Sequence, residues 1–227
     1  MTIEGLIFDF DGLVLDTETP EFTILQDIFN SYGASLPITE YAAALGSSLD
    51  AFDPFEYLAK KVKQPVDQFV LLKNWRTLAY PLIERQAPLP GVEKTIQRAQ
   101  ELGLKLAIAS SSPRQWVVTH LTRLKLIDYF EHILTAEDVQ NVKPYPDLYL
   151  KSIAALDLKP SQAIAFEDSP NGIKAARTAG LFCVAVPNPL TRQLDTEHAN
   201  LVIDSLASVS LDEIIEKANH PLSPTQP

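Results

Sequence analysis

Short apolar runs recur along the chain, each closing on polar residues: GLIFDFD at 5–11, KLAIASSS at 105–112, HILTAEDV at 132–139, AIAFEDS at 163–169 and LFCVAVP at 181–187. Apolar stretches of this length, bounded by turn-forming residues, predict strands buried on both faces, as in a parallel sheet. Helical periods lie between them. Val92, Ile96, Ala99 and Leu102 recur at three- and four-residue spacing before Gly103, which suits the left-handed position after a helix. Ser112–Pro113 and Ser169–Pro170 each set a capping hydroxyl before a proline that a first helical turn tolerates. LVIDSL at 201–206 predicts a sixth short strand, and Ser210 with Glu213 a capping box for a closing helix. Strands alternating with helices define an α/β fold, a doubly wound parallel sheet.

Residues from about Pro20 to Pro88 break the alternation. Phe22, Leu25, Phe29 and Tyr32 form one helical stripe, and 52–62 and 67–85 are also helical in pattern. The expected organisation is a core of 1–16 and 89–220, a small all-α insertion at 17–88 after the first strand, and a fraying tail at 221–227, with APLPG at 87–91 as a stiff return.

Composition narrows the partners. The 227 residues, 46% hydrophobic, suffice for a packed core, and 29 acidic against 19 basic residues give a net charge of -10, which disfavours a nucleic-acid or anionic-membrane surface. The single Cys183 lies in an apolar run and reads as a buried structural thiol. No signal peptide or membrane span is legible, so a soluble cytoplasmic chain, acting as a monomer, is expected.

The chemistry lies at the strand ends. Asp9 and Asp11, two apart at the end of the first strand, should share one side while Phe10 packs opposite, and two carboxylates in one space need a cation, a shared proton or several donors. In a parallel sheet the carboxyl ends of the strands form the ligand crevice. That rule gathers Asp9 and Asp11, Ser110 and Ser111, and Glu167 and Asp168, while the loop NVKPYPDLY at 141–149 supplies Lys143. Hard carboxylate oxygens suit Mg²⁺, and no His or Cys cluster suits Zn²⁺. Carboxylates, magnesium, hydroxyls, backbone amides and a lysine fit phosphoryl transfer. Asp9 can be the nucleophile that forms an aspartyl phosphate, and Asp11 the acid and base, with its backbone carbonyl able to face the metal.

These segments resemble the four motifs of the haloacid dehalogenase superfamily, in its phosphatase and β-phosphoglucomutase-like branch with a helical cap. FDFDGLVLDTE resembles motif one, IASSS motif two, NVKPYPDLY motif three and FEDSPNGIKAA motif four, in order across residues 1 to about 190. The resemblance implies that Asp9 is nucleophile and Mg²⁺ ligand, that Asp11 is acid and base, and that Ser110 and Lys143, with Ser111 and Gly12 beside them, bind phosphate. It also implies that Asp168 ligates the metal, with Glu167 a ligand or its support.

The expected activity is therefore hydrolysis of a small phosphomonoester, such as a sugar phosphate, with a sugar-phosphate mutase as the alternative. Mutases of this kind carry a basic residue after the cap-loop glycine. Here Gly46 precedes Ser47, Ser48, Leu49 and Asp50, and no His follows DTE closely. Dehalogenation is disfavoured by Asp11, and a phosphoacceptor signalling module by chain length and the helical insertion. His120, His132, His198 and His220 show no ligand spacing, Trp75 and Trp116 read as packing residues, and Arg76 and Arg114 are lesser candidates for substrate contact.

Overall fold

A computed structural model describes residues 2–47 and 51–220. The predicted tail at 221–227 and Ser48, Leu49 and Asp50 of the cap-loop comparison lie outside the described residues. The strands are β1 (Gly5–Phe8), β2 (Lys105–Ala109), β3 (His132–Leu134), β4 (Ala163–Glu167), β5 (Phe182–Ala185) and β6 (Leu201–Val202). They form one parallel sheet in the order β3-β2-β1-β4-β5-β6. The side chains alternate between two apolar layers, which is why the strand sequences are continuously hydrophobic. Leu6, Phe8, Leu106, Ile108, Ile164 and Phe166 fill one layer. Ile7, Ala107, Ala109, Ala163, Ala165 and Cys183 fill the other.

Helices α5 (Val92–Glu101), α6 (Arg114–Arg123) and α9 (Leu211–Asn219) contribute buried residues to the first layer. Helices α7 (Asp147–Ala155) and α8 (Pro170–Thr178) contribute to the second, where the alanine-rich strand face makes room for Tyr149 and Ile173. The sheet is thus covered on both sides, as the alternation predicts. Gly103 takes its left-handed turn at φ 67°, although Leu102 is exposed.

Every strand stops short of its predicted run, β3 and β6 most of all. β3 stops at Leu134 because Thr135 accepts a different structure: its N–H and hydroxyl both donate to Asp138 Oδ2, at 2.8 and 3.0 Å, closing a 3₁₀ turn over Ala136–Asp138. β6 keeps only Leu201 and Val202 paired. The caps also differ in part. Ser169 accepts from Gly172 N–H as expected, and Ser210 accepts from Glu213 N–H. Ser112 does not cap α6; the Glu137 carboxylate accepts the Arg114 N–H instead, at 2.9 and 3.1 Å, which frees the Ser112 hydroxyl.

Between β1 and β2 come α1 (Glu18–Ser31), the short α2 (Ile38–Tyr41), α3 (Pro54–Lys61) and α4 (Gln68–Ile83). Asp53 and Asp67 cap α3 and α4 through their carboxylates. Phe22, Leu25, Phe29, Phe55, Leu58, Leu71 and Trp75 form an apolar cluster of their own. Tyr32, the last member of the predicted stripe, is only partly buried because it already lies at the end of α1. Among the described residues no helix is long and apolar enough to cross a membrane.

Candidate active site

The catalytic-looking aspartates sit in a tight turn. Beyond Phe8 the chain remains in the sheet for one bond, from Asp9 N–H to Phe166 O at 3.0 Å. It then folds back through Val14 N–H to Phe10 O and Gly12 N–H to Leu15 O. Phe10 is fully buried on the core side, as expected. Gly12 adopts φ 80°, and a Cβ there would lie 2.5 Å from Asp168 Oδ2 and 2.7 Å from Glu18 Oε2. Glycine is therefore required both by the backbone and by the crowding of carboxylates around it.

Lys143 is fully buried between two strand ends. Its ammonium donates to Asp9 Oδ1 at 2.5 Å and lies 2.6 Å from Glu167 Oε1. Glu167 also accepts from the Tyr149 hydroxyl at 2.6 Å, so one cation and one phenol serve the inner carboxylates. Asp9, Glu167 and Asp168 each bring an oxygen to within 4.8 Å of the others. Two oxygens of that cluster, Asp9 Oδ2 and Asp168 Oδ1, are buried without any hydrogen-bond partner. Buried, unpartnered carboxylate oxygens cost free energy unless protonated or bound to a cation. Burial, then the charge of Glu167, push the Asp9 carboxyl well up, with Lys143 opposing them. Burial, then the charge of Glu18, do the same to Asp168. Oxygen-only, acidic and closely spaced, these residues fit a hard divalent cation.

Asp11 is held differently. Oδ1 accepts from Thr17 Oγ1 and Trp116 Nε1, both at 2.9 Å, and Oδ2 accepts from Ser112 Oγ at 2.7 Å and Ser110 Oγ at 3.2 Å. Its carboxylate is not one of the three that cluster. Ser111 turns the other way and donates to Gly46 O at 3.0 Å. Ser47 likewise donates to Lys143 O at 2.7 Å, and Asn171 Nδ2 donates to Leu45 O at 2.9 Å. The loop 42–47 of the helical unit is thereby bonded to the ends of the sheet.

A cavity of about 410 Å³ opens above this floor. Asp9, Asp11, Ser111 and Ser112 line its base, and Glu18, Glu21, Tyr41, Trp75, Arg76 and Tyr80 form its walls from α1, α2 and α4. Burial pushes Glu21 up to about 8, helped by the charges of Asp11 and Glu18 and opposed by Arg76. Burial pushes Glu18 up to about 7, against hydrogen bonds with Asp168 and Asn188.

Asp9, Asp11, Gly12, Ser110, Ser111, Lys143, Glu167 and Asp168 are brought together here, though Ser110, Lys143, Glu167 and Asp168 lie beneath the floor and Gly12 has its N–H already taken by Leu15. Trp116 departs from its expectation as a mere packing residue, since it both lines the cavity and bonds Asp11. Trp75 packs in the helical cluster and also lines the cavity. Of the two arginines, exposed Arg76 lines it, whereas Arg114 pairs with Asp138 outside. Among the described residues the histidines form no cluster; buried His120 stacks on Phe10 and meets the Trp116 ring edge-on. Asn188 was not anticipated. Its amide donates to Asp168 Oδ2 at 2.8 Å, Glu18 Oε2 at 3.1 Å and Gly12 O at 3.2 Å, tying three segments together. The signal for it is that Asn188 comes directly after the fifth apolar run, LFCVAVP, and puts one more polar group at a strand end.

Comparison with known proteins adds an independent line. Residues 6–186 match the family model described as haloacid dehalogenase-like hydrolase. The chain is 42% identical over 217 residues, covering 96% of it and 98% of the relative, to YhcW of Bacillus subtilis (strain 168), a protein provisionally named a phosphatase. It is 30% identical over 224 residues, covering 94% and 97%, to a phosphorylated carbohydrates phosphatase of Thermotoga maritima. In structure it is similar to β-phosphoglucomutase from Clostridium difficile, with a TM-score of 0.77, 26% identity, and 96% and 98% of the two chains covered.

Proposed function

The chain belongs to the haloacid dehalogenase-like hydrolases, and from that premise we propose that it is a Mg²⁺-dependent phosphatase that cleaves a small phosphorylated carbohydrate or similar monoester through an aspartyl phosphate. The observation that carries the proposal is Asp9. One of its oxygens is held by a buried lysine and the other is unpartnered, at the base of a cavity. Asp9 attacks phosphorus, the ester P–O bond breaks, and Asp11 gives its proton to the departing alkoxide. Water then attacks the aspartyl phosphate while Asp11 takes a proton from it, which releases phosphate and restores Asp9. Ser110, Ser111 and Lys143 would hold and orient the phosphoryl oxygens after exchanging their present partners, Asp11, Gly46 O and the Asp9–Glu167 pair, and the Gly12 turn shapes the floor beside them. Asp9, Glu167 and Asp168, with the main-chain carbonyl of Asp11, would hold Mg²⁺, which when bound supplies positive charge for the transferring group.

The helical unit, residues 17–88, would serve as a cap on the core of 1–16 and 89–220. Its aromatic and acidic wall shuts out water and reads the leaving alcohol. A cavity of about 410 Å³ suits a metabolite rather than a polymer. The name of the Thermotoga relative supports a phosphorylated carbohydrate as that metabolite. The similarity to β-phosphoglucomutase supports a second reading, isomerisation of a sugar phosphate.

The proposal is tested with p-nitrophenyl phosphate, a panel of phosphorylated carbohydrates and Mg²⁺. Wild type should release phosphate, and Asp9→Asn or chelation should abolish release. Full activity in either case overturns the assigned chemistry. With hexose 1-phosphates, formation of the 6-phosphate isomer without free phosphate would establish the second reading instead.

A further inference from the structure

We propose that Trp116 is a positioning residue for Asp11, fixing which carboxylate oxygen works on the leaving group. The inference rests on the acid and base role assigned to Asp11 above. One oxygen of Asp11 is held by hydroxyls alone, the other by a hydroxyl and an indole. Oδ2 accepts only from serine hydroxyls, Ser112 at 2.7 Å and Ser110 at 3.2 Å, and a hydroxyl can rotate toward another acceptor when a phosphoryl group arrives. Oδ1 accepts from Thr17 and from the Trp116 indole at 2.9 Å. The indole N–H has no rotor and is a donor only, so it cannot turn aside without moving the whole ring. That ring is clamped: Tyr80 lies 4.9 Å away by ring centroids and His120 4.3 Å away, with His120 in turn stacked on Phe10 at 6.3 Å. Phosphoryl entry therefore frees Oδ2 while Oδ1 stays anchored, and the carboxyl presents one defined oxygen to the leaving atom. Because Tyr80 belongs to α4, the helical unit completes the seat of this anchor.

Leaving groups differ in their need for a placed proton. An alkoxide requires it, whereas nitrophenolate departs with little help, so misplacing the acid discriminates between them. Trp116→Phe keeps the ring and deletes the N–H; Thr17→Val deletes the other anchor with nearly the same shape. The measurement is kcat/KM, which reports steps up to leaving-group departure, for p-nitrophenyl phosphate and for a hexose 6-phosphate that wild type turns over. The ratio of alkyl to aryl kcat/KM should fall about tenfold in Trp116→Phe, and in the same direction in Thr17→Val. If Trp116→Phe does not melt cooperatively, Trp116 replaced by its isostere 3-benzothienylalanine, which carries sulfur in place of the ring N–H, decides. An unchanged ratio, or equal loss on both substrates, overturns the role of the anchor while leaving the phosphatase reading intact. Failure of wild type on every monoester overturns that reading, and the anchor with it.

Discussion

Replacing Lys143 with Met removes the one cation buried among Asp9 and Glu167 while keeping the length of the side chain. The ammonium lies 2.5 Å from Asp9 Oδ1 and 2.6 Å from Glu167 Oε1, and side-chain exposures are 0% for Lys143, 3% for Asp9 and 0% for Glu167. Breaking a buried pair from one side costs about 3 to 5 kcal/mol, because a desolvated charge is left without compensation. The variant can escape part of this cost by protonating. In wild type, burial and Glu167 already push the Asp9 carboxyl up and Lys143 opposes them, so deleting the lysine pushes it higher still. A raised folded-state value means stability that is present at low pH and lost as pH rises through that value. Wherever Asp9 is ionised in wild type but protonated in the variant, the difference in stability should widen by about 1.4 kcal/mol per pH unit. Urea unfolding of both proteins in chelator, from about pH 5 to about pH 8.5, reads this directly. The deficit should be smallest at the acid end and reach about 3 to 5 kcal/mol at the alkaline end. Adding Asp9→Asn to the variant should recover part of the loss at high pH. Parallel curves, or a variant as stable as wild type throughout, would refute the compensation argument.

Three further outcomes are expected. Cation binding requires Asp9 and Asp168 ionised, and burial pushes both up, so protons compete with metal; millimolar Mg²⁺ should raise the melting temperature more at pH 8 than at pH 6, and the reverse order would contradict the assigned ligands. Glu21 is pushed up to about 8, so its contribution to stability declines as pH rises from the unfolded value of about 4.3 through 8; Glu21→Gln should remove that decline and gain about 1 to 3 kcal/mol near pH 7 in urea unfolding. Gly12→Ala would place a Cβ 2.5 Å from Asp168 Oδ2 at a backbone φ of 80°, and should cost about 1 to 3 kcal/mol of stability together with Mg²⁺ affinity measured by calorimetry.

The parts legible in the sequence are those governed by strand ends. Buried strands must run as continuous apolar segments, and that rule alone gathers the first polar residues at the ends of β1, β2 and β4, while Lys143 is placed by its loop. What stayed hidden depends on competition between local partners. Ser112 precedes a proline and has the pattern of a helix cap, yet Glu137, brought from the turn after β3, takes the Arg114 N–H and leaves Ser112 to Asp11. HILTAEDV looks like one strand because nothing in its hydrophobicity marks the point where the Asp138 carboxylate captures Thr135. Trp116 lies on the face of α6 nearest the helical unit, and periodicity within α6 cannot report that Tyr80, on another element, will seat its ring. Asn188 needed the strand-end rule to be applied to β5 as well.

The central claim is that Asp9 carries the phosphoryl group, and trapping that group tests it most directly. Enzyme mixed with ³²P-labelled substrate and Mg²⁺, quenched in acid within one turnover and digested, should show label on the peptide containing Asp9, labile to alkali and lost on a chase with unlabelled substrate. Label on another peptide, or phosphate release with none trapped on the enzyme at any time under conditions where acyl phosphates survive, would contradict the account.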